Sequence, residues 1–441
     1  MLEPPDPDAL ATINDVTAAD LPRFAVARQE RDQPTVEDLE AATVEALEAI
    51  PDLADLDHGA EVGITAGSRG IHDMPAILRV MVDELKDRGL DPFIFPAMGS
   101  HGGATAEGQR EMLASLDITS ETMGCEIRSS VAVEQVASDG DGRPVFAAVD
   151  ALEADAVIVA NRVKAHTDFH GDIESGLCKM TVIGIGKQRG ADAAHNAALA
   201  TSFRAVLPER AGLLFDAVPI LGGVAVIENA AEQAAEIVGV PVGEIIDREP
   251  DLLERSLELL PTLPIDDLDL LIVDRIGKNY SGTGMDTNVV GRMMMLGEPE
   301  FETPAYSRIY TRGLTDASHG NAIGIGLADY VHETALEDVT LTDTYVNAVT
   351  GGEPARARIP VVCPTDELAF SLVYSTTGVR DASDLRVAWV PNTLELGTYA
   401  VSEPVAEELR DHPDVTVEPP EPLAFEDGDL VTAPFRETPI V

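Results

Sequence analysis

Lysine is scarce in this chain. Only Lys86, Lys164, Lys179, Lys187 and Lys278 occur, within 30 basic residues set against 78 Asp plus Glu in 441 positions. The formal charge of −48 leaves no basic stripe able to displace counterions from phosphates, which excludes a nucleic-acid binder. Cysteine is also sparse. Cys125, Cys178 and Cys363 are odd in number and far apart, so no disulfide framework is implied and a reducing cytoplasm fits. Aromatics make up 4% of residues, which leaves Val, Ile, Leu and Ala to build the core. Apolar runs stay under about 12 residues, short of the ~18 expected of a membrane span. The opening M-L-E-P-P-D-P-D has neither the basic nor the apolar region of a signal peptide. A cytoplasmic protein without membrane association is the expectation.

So acidic a surface suits a cytosol near molar salt, where the Debye length shrinks to about 3 Å and carboxylates repel weakly. It is a halophilic, haloarchaeal-type pattern that sheds lysine. A lysine retained there is expected to do what arginine cannot, such as bonding a carbonyl carbon or acting as a compact point charge. Lys86, in D-E-L-K-D-R, reads as an ordinary helix-face residue. The other four fall in Gly-rich or His-rich loops.

The length, with 45% apolar residues, predicts two domains. Residues 1–20 read as a loose arm and residues 36–50 as a helix behind Thr35. A pattern of strand, glycine loop and helix then repeats. Residues 61–66 are a strand, Gly67-Ser68-Arg69-Gly70 a loop, and Asp73 with Pro75 opens a helix that Gly89 stops. Residues 92–98 are a strand, Gly99-Ser100-His101-Gly102-Gly103 a loop, and Thr105 starts a helix. Residues 154–160 form a third strand, apolar throughout as buried parallel strands are. Further strands are predicted at 219–227, 268–276, 307–310, 357–362 and 385–390, with helices around 250–260, 327–335 and 366–374. This is an α/β chain with open, mostly parallel sheets. Residues 1–264 form one domain and 265–411 a second, with an active-site cleft between them. The acidic segment 412–441 is expected to pack back on the first. Ligands of such sheets bind beyond the carboxyl ends of the strands, where the Ser68, His101 and His166 loops would converge.

The stretch from Asn161 to His195 holds three of the nine histidines and three of the five lysines. Imidazole transfers protons near neutral pH and binds nickel, zinc or iron, which makes His101, His166, His170 and His195 the candidate group. Lys179, beside the apolar run M-T-V-I-G-I-G, reads either as a carbonyl nucleophile or as a snorkelling helix cap. Lys187 and Arg189 would hold a phosphate with glycine amides, although Gln188 breaks the P-loop pattern. Cys178 reads as a metal ligand or as a small buried hydrophobe. Lys278 and Asn279, in K-N-Y-S-G-T-G-M-D, form either an anion-facing loop or a tight glycine turn.

With these residues in place, the chain resembles the nickel-dependent lactate racemase family. G-S-R-G-I at 67–71, M-G-S-H-G-G at 98–103, the His/Lys stretch and K-N-Y-S-G-T-G-M-D occur in the family's order over most of the length. The resemblance implies a racemase or epimerase of a 2-hydroxy acid that carries a nickel-pincer pyridinium mononucleotide. By it, Lys179 attaches the cofactor and His195 ligates nickel. His101 and His166 are the acid/base pair, with His170 the alternative to His166. Ser68 and Arg69 bind cofactor phosphate or substrate, and Lys278 with Asn279 holds the substrate carboxylate. Cofactor-building proteins are implied partners, and a homodimer is a candidate assembly. Thr167 follows His166 where the family has arginine, and the lysine stands in E-S-G-L-C-K, so another hydroxy acid or a sugar acid stays open beside lactate. Two other readings of the same residues are a zinc or iron lyase or hydrolase using His166, His170 and Cys178, and a cofactor-free binder of an acidic metabolite.

Overall fold

Alternating apolar residues build a six-stranded sheet with two covered faces. A computed structural model describes residues 5–31, 33–68, 70–431 and 435; Arg69 lies outside the described residues. The chain divides into two compact units, Gln33–Leu260 and a terminal unit made of Met1–Asp32 with Pro261–Val441.

In the Gln33–Leu260 unit the strand order is Glu126–Ile127, Asp91–Pro96, Glu61–Ala66, Ala156–Arg162, Ile220–Glu228, Ala234–Pro241. Neighbours are parallel except for the last pair. Val62, Ile64, Ile94, Ile158 and Val224 face one core, while Phe93, Phe95, Val157, Val159 and Ala225 face the other. This is the period of two that a strand imposes. The helix Met74–Asp87 starts at Pro75 in its first turn and lays Ile77, Leu78, Met81, Val82 and Leu85 on the first face. Each such buried side chain is worth about 1.5–3 kcal/mol. The strand, loop and helix succession runs as the sequence predicts.

The terminal unit carries an eight-stranded sheet. Val361–Cys363, Tyr330–His332, Ala305–Thr311, Asp267–Val273 and Val387–Val390 run parallel, followed by Thr398–Ser402, Phe24–Gln29 and Val415–Val417 in antiparallel pairing. Here the structure differs from the predicted boundaries. Phe24–Gln29, expected in the first domain, pairs with Thr398–Ser402 and Val415–Val417. The expected loose arm is tied down at Asn14, whose Nδ2 donates to Ser371 O at 2.8 Å. Of the acidic tail, expected to pack on the first domain, Val415–Val417 joins this same sheet and Phe425–Glu426 pairs with Asp429–Leu430 in a small sheet of their own, both within the terminal unit. Residues 327–335, expected as a helix, contain the buried strand Tyr330–His332 between two 3-10 turns. Three apolar residues are too few to show a period, so a sequence cannot separate the two. The strand expected at 357–362 is Val361–Cys363. No helix among the described residues is long and apolar enough to cross a membrane.

Candidate active site

The three loops that leave the carboxyl ends of Glu61–Ala66, Asp91–Pro96 and Ala156–Arg162 carry the polar residues of this edge. The first two loops meet directly, as Ser68 Oγ hydrogen-bonds His101 Nδ1. The His101 loop folds tightly because Gln109, at 0% exposure, sends Nε2 to Gly99 O at 3.1 Å and His101 O at 3.3 Å. Gly102 sits at φ +66, and a Cβ there would stand 2.6 Å from the backbone of Gly108 and Gln109. Only glycine closes that turn. His101 itself is exposed.

The third loop, residues 163–175, is pinned at its base by Lys164 and Ser175, which exchange backbone hydrogen bonds of 2.8 and 3.2 Å. Its organiser is Glu174, 3% exposed. One carboxylate oxygen accepts the His166 N–H at 2.5 Å, and the other accepts Gly171 N–H and faces His170 Nδ1, both at 3.1 Å. The two imidazoles differ in consequence. His166 Nδ1 accepts the Asp168 N–H at 3.0 Å, which leaves the ring proton on Nε2. His170 Nδ1 faces a carboxylate and keeps its proton there, so the Nε2 of the neutral ring carries the lone pair. Sequence reasoning left His166 and His170 interchangeable; the hydrogen bonds give them opposite tautomers.

Lys179 ends a single helical turn, Leu177–Lys179, which opens into a π-helix at Met180–Ile185 and then the α-helix Lys187–Ala198. The turn is capped from below. Glu249, on the helix Ile245–Leu259, accepts the Cys178 N–H at 2.8 Å, and a Cβ on Gly176 would meet its Oε1 at 2.2 Å. Burial pushes the Glu249 carboxyl up to about 7. Burial also pushes the Cys178 thiol far above its usual range, so it stays a protonated hydrophobe and is a poor metal ligand.

His195 lies on the Lys187–Ala198 helix with Nδ1 donating to Ala191 O at 2.7 Å, which leaves the lone pair of the neutral ring on Nε2. Its ring meets Phe203 edge-on at 5.1 Å, Phe203 stacks on Phe169 at 5.1 Å, and Phe169 stacks on His166 at 4.6 Å. A continuous run of rings therefore joins His166 to His195. Neither phenylalanine was singled out from sequence, where each looks like any core aromatic. The His101 loop abuts the same segment, since a Cβ on Gly99 would lie 3.2 Å from Ile183 and 3.5 Å from Ala191.

Lys187 departs from the expected phosphate contact. It is 1% exposed, and its Nζ donates to Pro96 O at the end of the Asp91–Pro96 strand. Burial lowers its ammonium to about 8. Arg189, paired with Lys187 in that expectation, lies with its guanidinium over the Phe146 ring at 4.3 Å, and Arg69, expected with Ser68 to bind cofactor phosphate or substrate, lies outside the described residues. In the terminal unit, Lys278 and Asn279 follow the strand Asp267–Val273. Lys278 Nζ donates to Gly282 O at 2.6 Å and Asn347 Oδ1 at 2.9 Å, and Asn279 Oδ1 accepts from Thr315 Oγ1 at 2.7 Å.

No protein-family model matches the chain, and no curated protein sequence matches it. Among solved structures it is similar to the lactate racemase apoprotein from Thermoanaerobacterium thermosaccharolyticum, with a TM-score of 0.52 and 14% identity over 84% of this chain and 94% of that one. At that identity the likeness shows the fold: two α/β units whose sheets are mostly parallel.

Proposed function

We propose that the protein is a racemase or epimerase of a 2-hydroxy acid that works with a nickel-pincer pyridinium nucleotide. The observation that carries this reading is the pair of differently held imidazoles on two loops of one sheet edge, either side of the Ser68 loop: His101 on Ser68 and His170 on Glu174. A base on each loop is what inversion of one carbon requires.

The residues fit the group. His195 Nε2 offers one imidazole nitrogen, and the buried Cys178 thiol offers no protein sulfur, which suits a metal whose remaining ligands arrive with the nucleotide. Lys179 would attach the group. When bound, such a group supplies a carbon that accepts a hydride and returns it. His170 Nε2 would take the hydroxyl proton of the substrate as the C2–H bond breaks, which turns the 2-hydroxy acid into a 2-keto acid. His101, already protonated, would donate a proton to the keto oxygen as the C–H bond forms again on the opposite face, and solvent would carry the proton left on His170 back to His101, so atoms and electrons balance over the cycle. His166, with its proton on Nε2, would donate a hydrogen bond to the acid. Lys278 and Asn279 are the proposed holders of the carboxylate, and Ser68 orients His101. The acidic surface supports work at high salt, and cofactor-building proteins are the partners this chemistry requires.

Protein made alongside those partners tests the reading by metal analysis and intact mass. Nickel with an adduct on Lys179, and racemisation lost in Lys179→Ala and His195→Ala, is expected. Zinc or iron without an adduct would favour the lyase or hydrolase. An empty protein that binds acidic metabolites would favour the binder.

A further inference from the structure

Two unfavourable features meet at Lys187. It opens the Lys187–Ala198 helix at φ +51, in the left-handed region where glycine is at ease and a long side chain is not. Its side chain is 1% exposed, so the ammonium has left water, and burial works against its charge. Packing alone needs neither feature, because methionine would fill the same space without a buried amine. A strained and desolvated residue beside a candidate site is a reason to look for a function.

What the amine reaches is the root of the His101 loop. Nζ donates to the carbonyl of Pro96, the last residue of the Asp91–Pro96 strand, and lies 5.7 Å above the Phe95 ring. Two close approaches join the next residues to the segment between Lys179 and His195. A Cβ on Gly184 would stand 2.6 Å from Ala97 O, so the π-helix Met180–Ile185 lies directly against the chain leaving the strand. Gly99 lies against Ile183 and Ala191 in the same way. From there to His101 the loop is short and held. The His101 N–H bonds Met98 O at 3.1 Å, and Gln109 Nε2 bonds Gly99 O at 3.1 Å. A shift at Pro96 is therefore passed on to His101.

We infer that Lys187 is a positioning residue: it locks the root of the His101 loop onto the junction between the π-helix and the Lys187–Ala198 helix, and so fixes His101 relative to Lys179 and His195. The inference rests on the hydroxy-acid reading above and adds a residue to it. Lys187 acts through the Pro96 carbonyl and not on the substrate.

Three variants of the full chain test it. Lys187→Met keeps the hydrocarbon bulk and donates nothing. Lys187→Gly also lacks the amine but accepts φ +51 without strain, so it folds where the methionine variant does not. Lys187→Gln keeps an N–H donor without the charge. Hydrogen exchange without cofactor is the first measurement. Peptides covering residues 97–104 are expected to exchange about tenfold or more faster in the Met and Gly variants, with the Met74–Asp87 helix unchanged. Turnover of the cofactor-loaded protein is the second. With nickel content and the Lys179 adduct as in the parent, kcat is expected to fall about tenfold or more while KM moves less than about twofold. Lys187→Gln should recover part of both losses. Unchanged exchange at 97–104, unchanged kcat in a loosened loop, or a Gln variant no better than the Met one overturns the assignment. If the loop loosens as expected while the parent racemises no hydroxy acid, the positioning role stands and the proposed reaction is what fails.

Discussion

The two sheets end in very different carboxyl edges. At the edge of the Gln33–Leu260 unit each key imidazole commits one ring nitrogen to the protein: His101 to Ser68, His170 to Glu174, and His195 to Ala191. At the edge of the terminal unit the charged groups satisfy one another. Arg312 forks onto both oxygens of Asp366 at 2.9 and 2.8 Å and also bonds Asp274. Asp366 accepts further from Tyr310 OH at 2.7 Å and from Leu430 N–H at 2.8 Å. Burial and then the Asp366 carboxylate push the Tyr310 phenol well above its usual 10. His332, Asp366 and Asp429 bring three potential metal ligands within 4.8 Å of one another, yet the Asp366 oxygens are already filled by these donors. His332 spends Nδ1 on Thr334 and Nε2 on Asp429. Both edges are rich in ionisable side chains. What separates them is that the Arg312–Asp366 network ties its charged groups to one another, whereas each imidazole is tied to a different neighbour.

The sharpest way to break this contrast is to remove one group from each edge. His170→Ala is expected to lower kcat of the loaded enzyme by about a hundred- to ten-thousandfold, the range of a lost general base. Glu174→Gln should lower it less and shift the pH profile of kcat, because the amide holds the loop but no longer biases the His170 tautomer. Urea unfolding of His170→Ala should stay near that of the parent. A large loss of stability with little loss of turnover would put His170 among the structural groups.

At the other edge the order reverses. Asp366→Ala strands Arg312 beside a single remaining carboxylate and removes acceptors from Tyr310 and Leu430. A loss of about 3–5 kcal/mol is expected in urea unfolding, as for any buried pair broken on one side. Arg312→Met combined with Asp366→Leu removes both charges and should recover most of that loss. If the double variant is no better than the single one, the network contributes something other than mutual satisfaction.

Much of the candidate site was legible because it follows a rule that reads locally. Glycine loops after apolar strands fall at one edge, and Ser68, His101 and the His166–His170 loop arrive there as expected. The carboxylates that organise the site were not legible. Glu174 and Glu249 are two among 78 acidic residues, and burial, which sets them apart, is a property of the fold. Lys187 shows the opposite failure. A lysine after Gly-Ile-Gly reads as an anion binder, but the turn at φ +51 drives it inward onto Pro96 O. Strand partners were hidden for a related reason. Nothing within Phe24–Gln29 says that it pairs with residues near 400 and 416, since pairing is decided by a face that forms only in the folded chain.

Glu249 is the exception that refines the comparison, a buried carboxyl at the candidate edge with Oε1 unpartnered among the described residues. Burial raises it from the usual 4.5 to about 7, so between those values the folded chain keeps a proton that the unfolded chain has released. Stability from this group is complete below pH 4.5 and is lost as the pH rises through 7, a span worth about 3 kcal/mol. Glu249→Gln cannot titrate. Its unfolding free energy minus that of the parent should therefore climb across pH 4.5–7 at fixed salt and level off above. A flat difference would mean that water reaches this carboxyl, and the turn beneath Lys179 would then be held by the Cys178 hydrogen bond to a fully ionised acid.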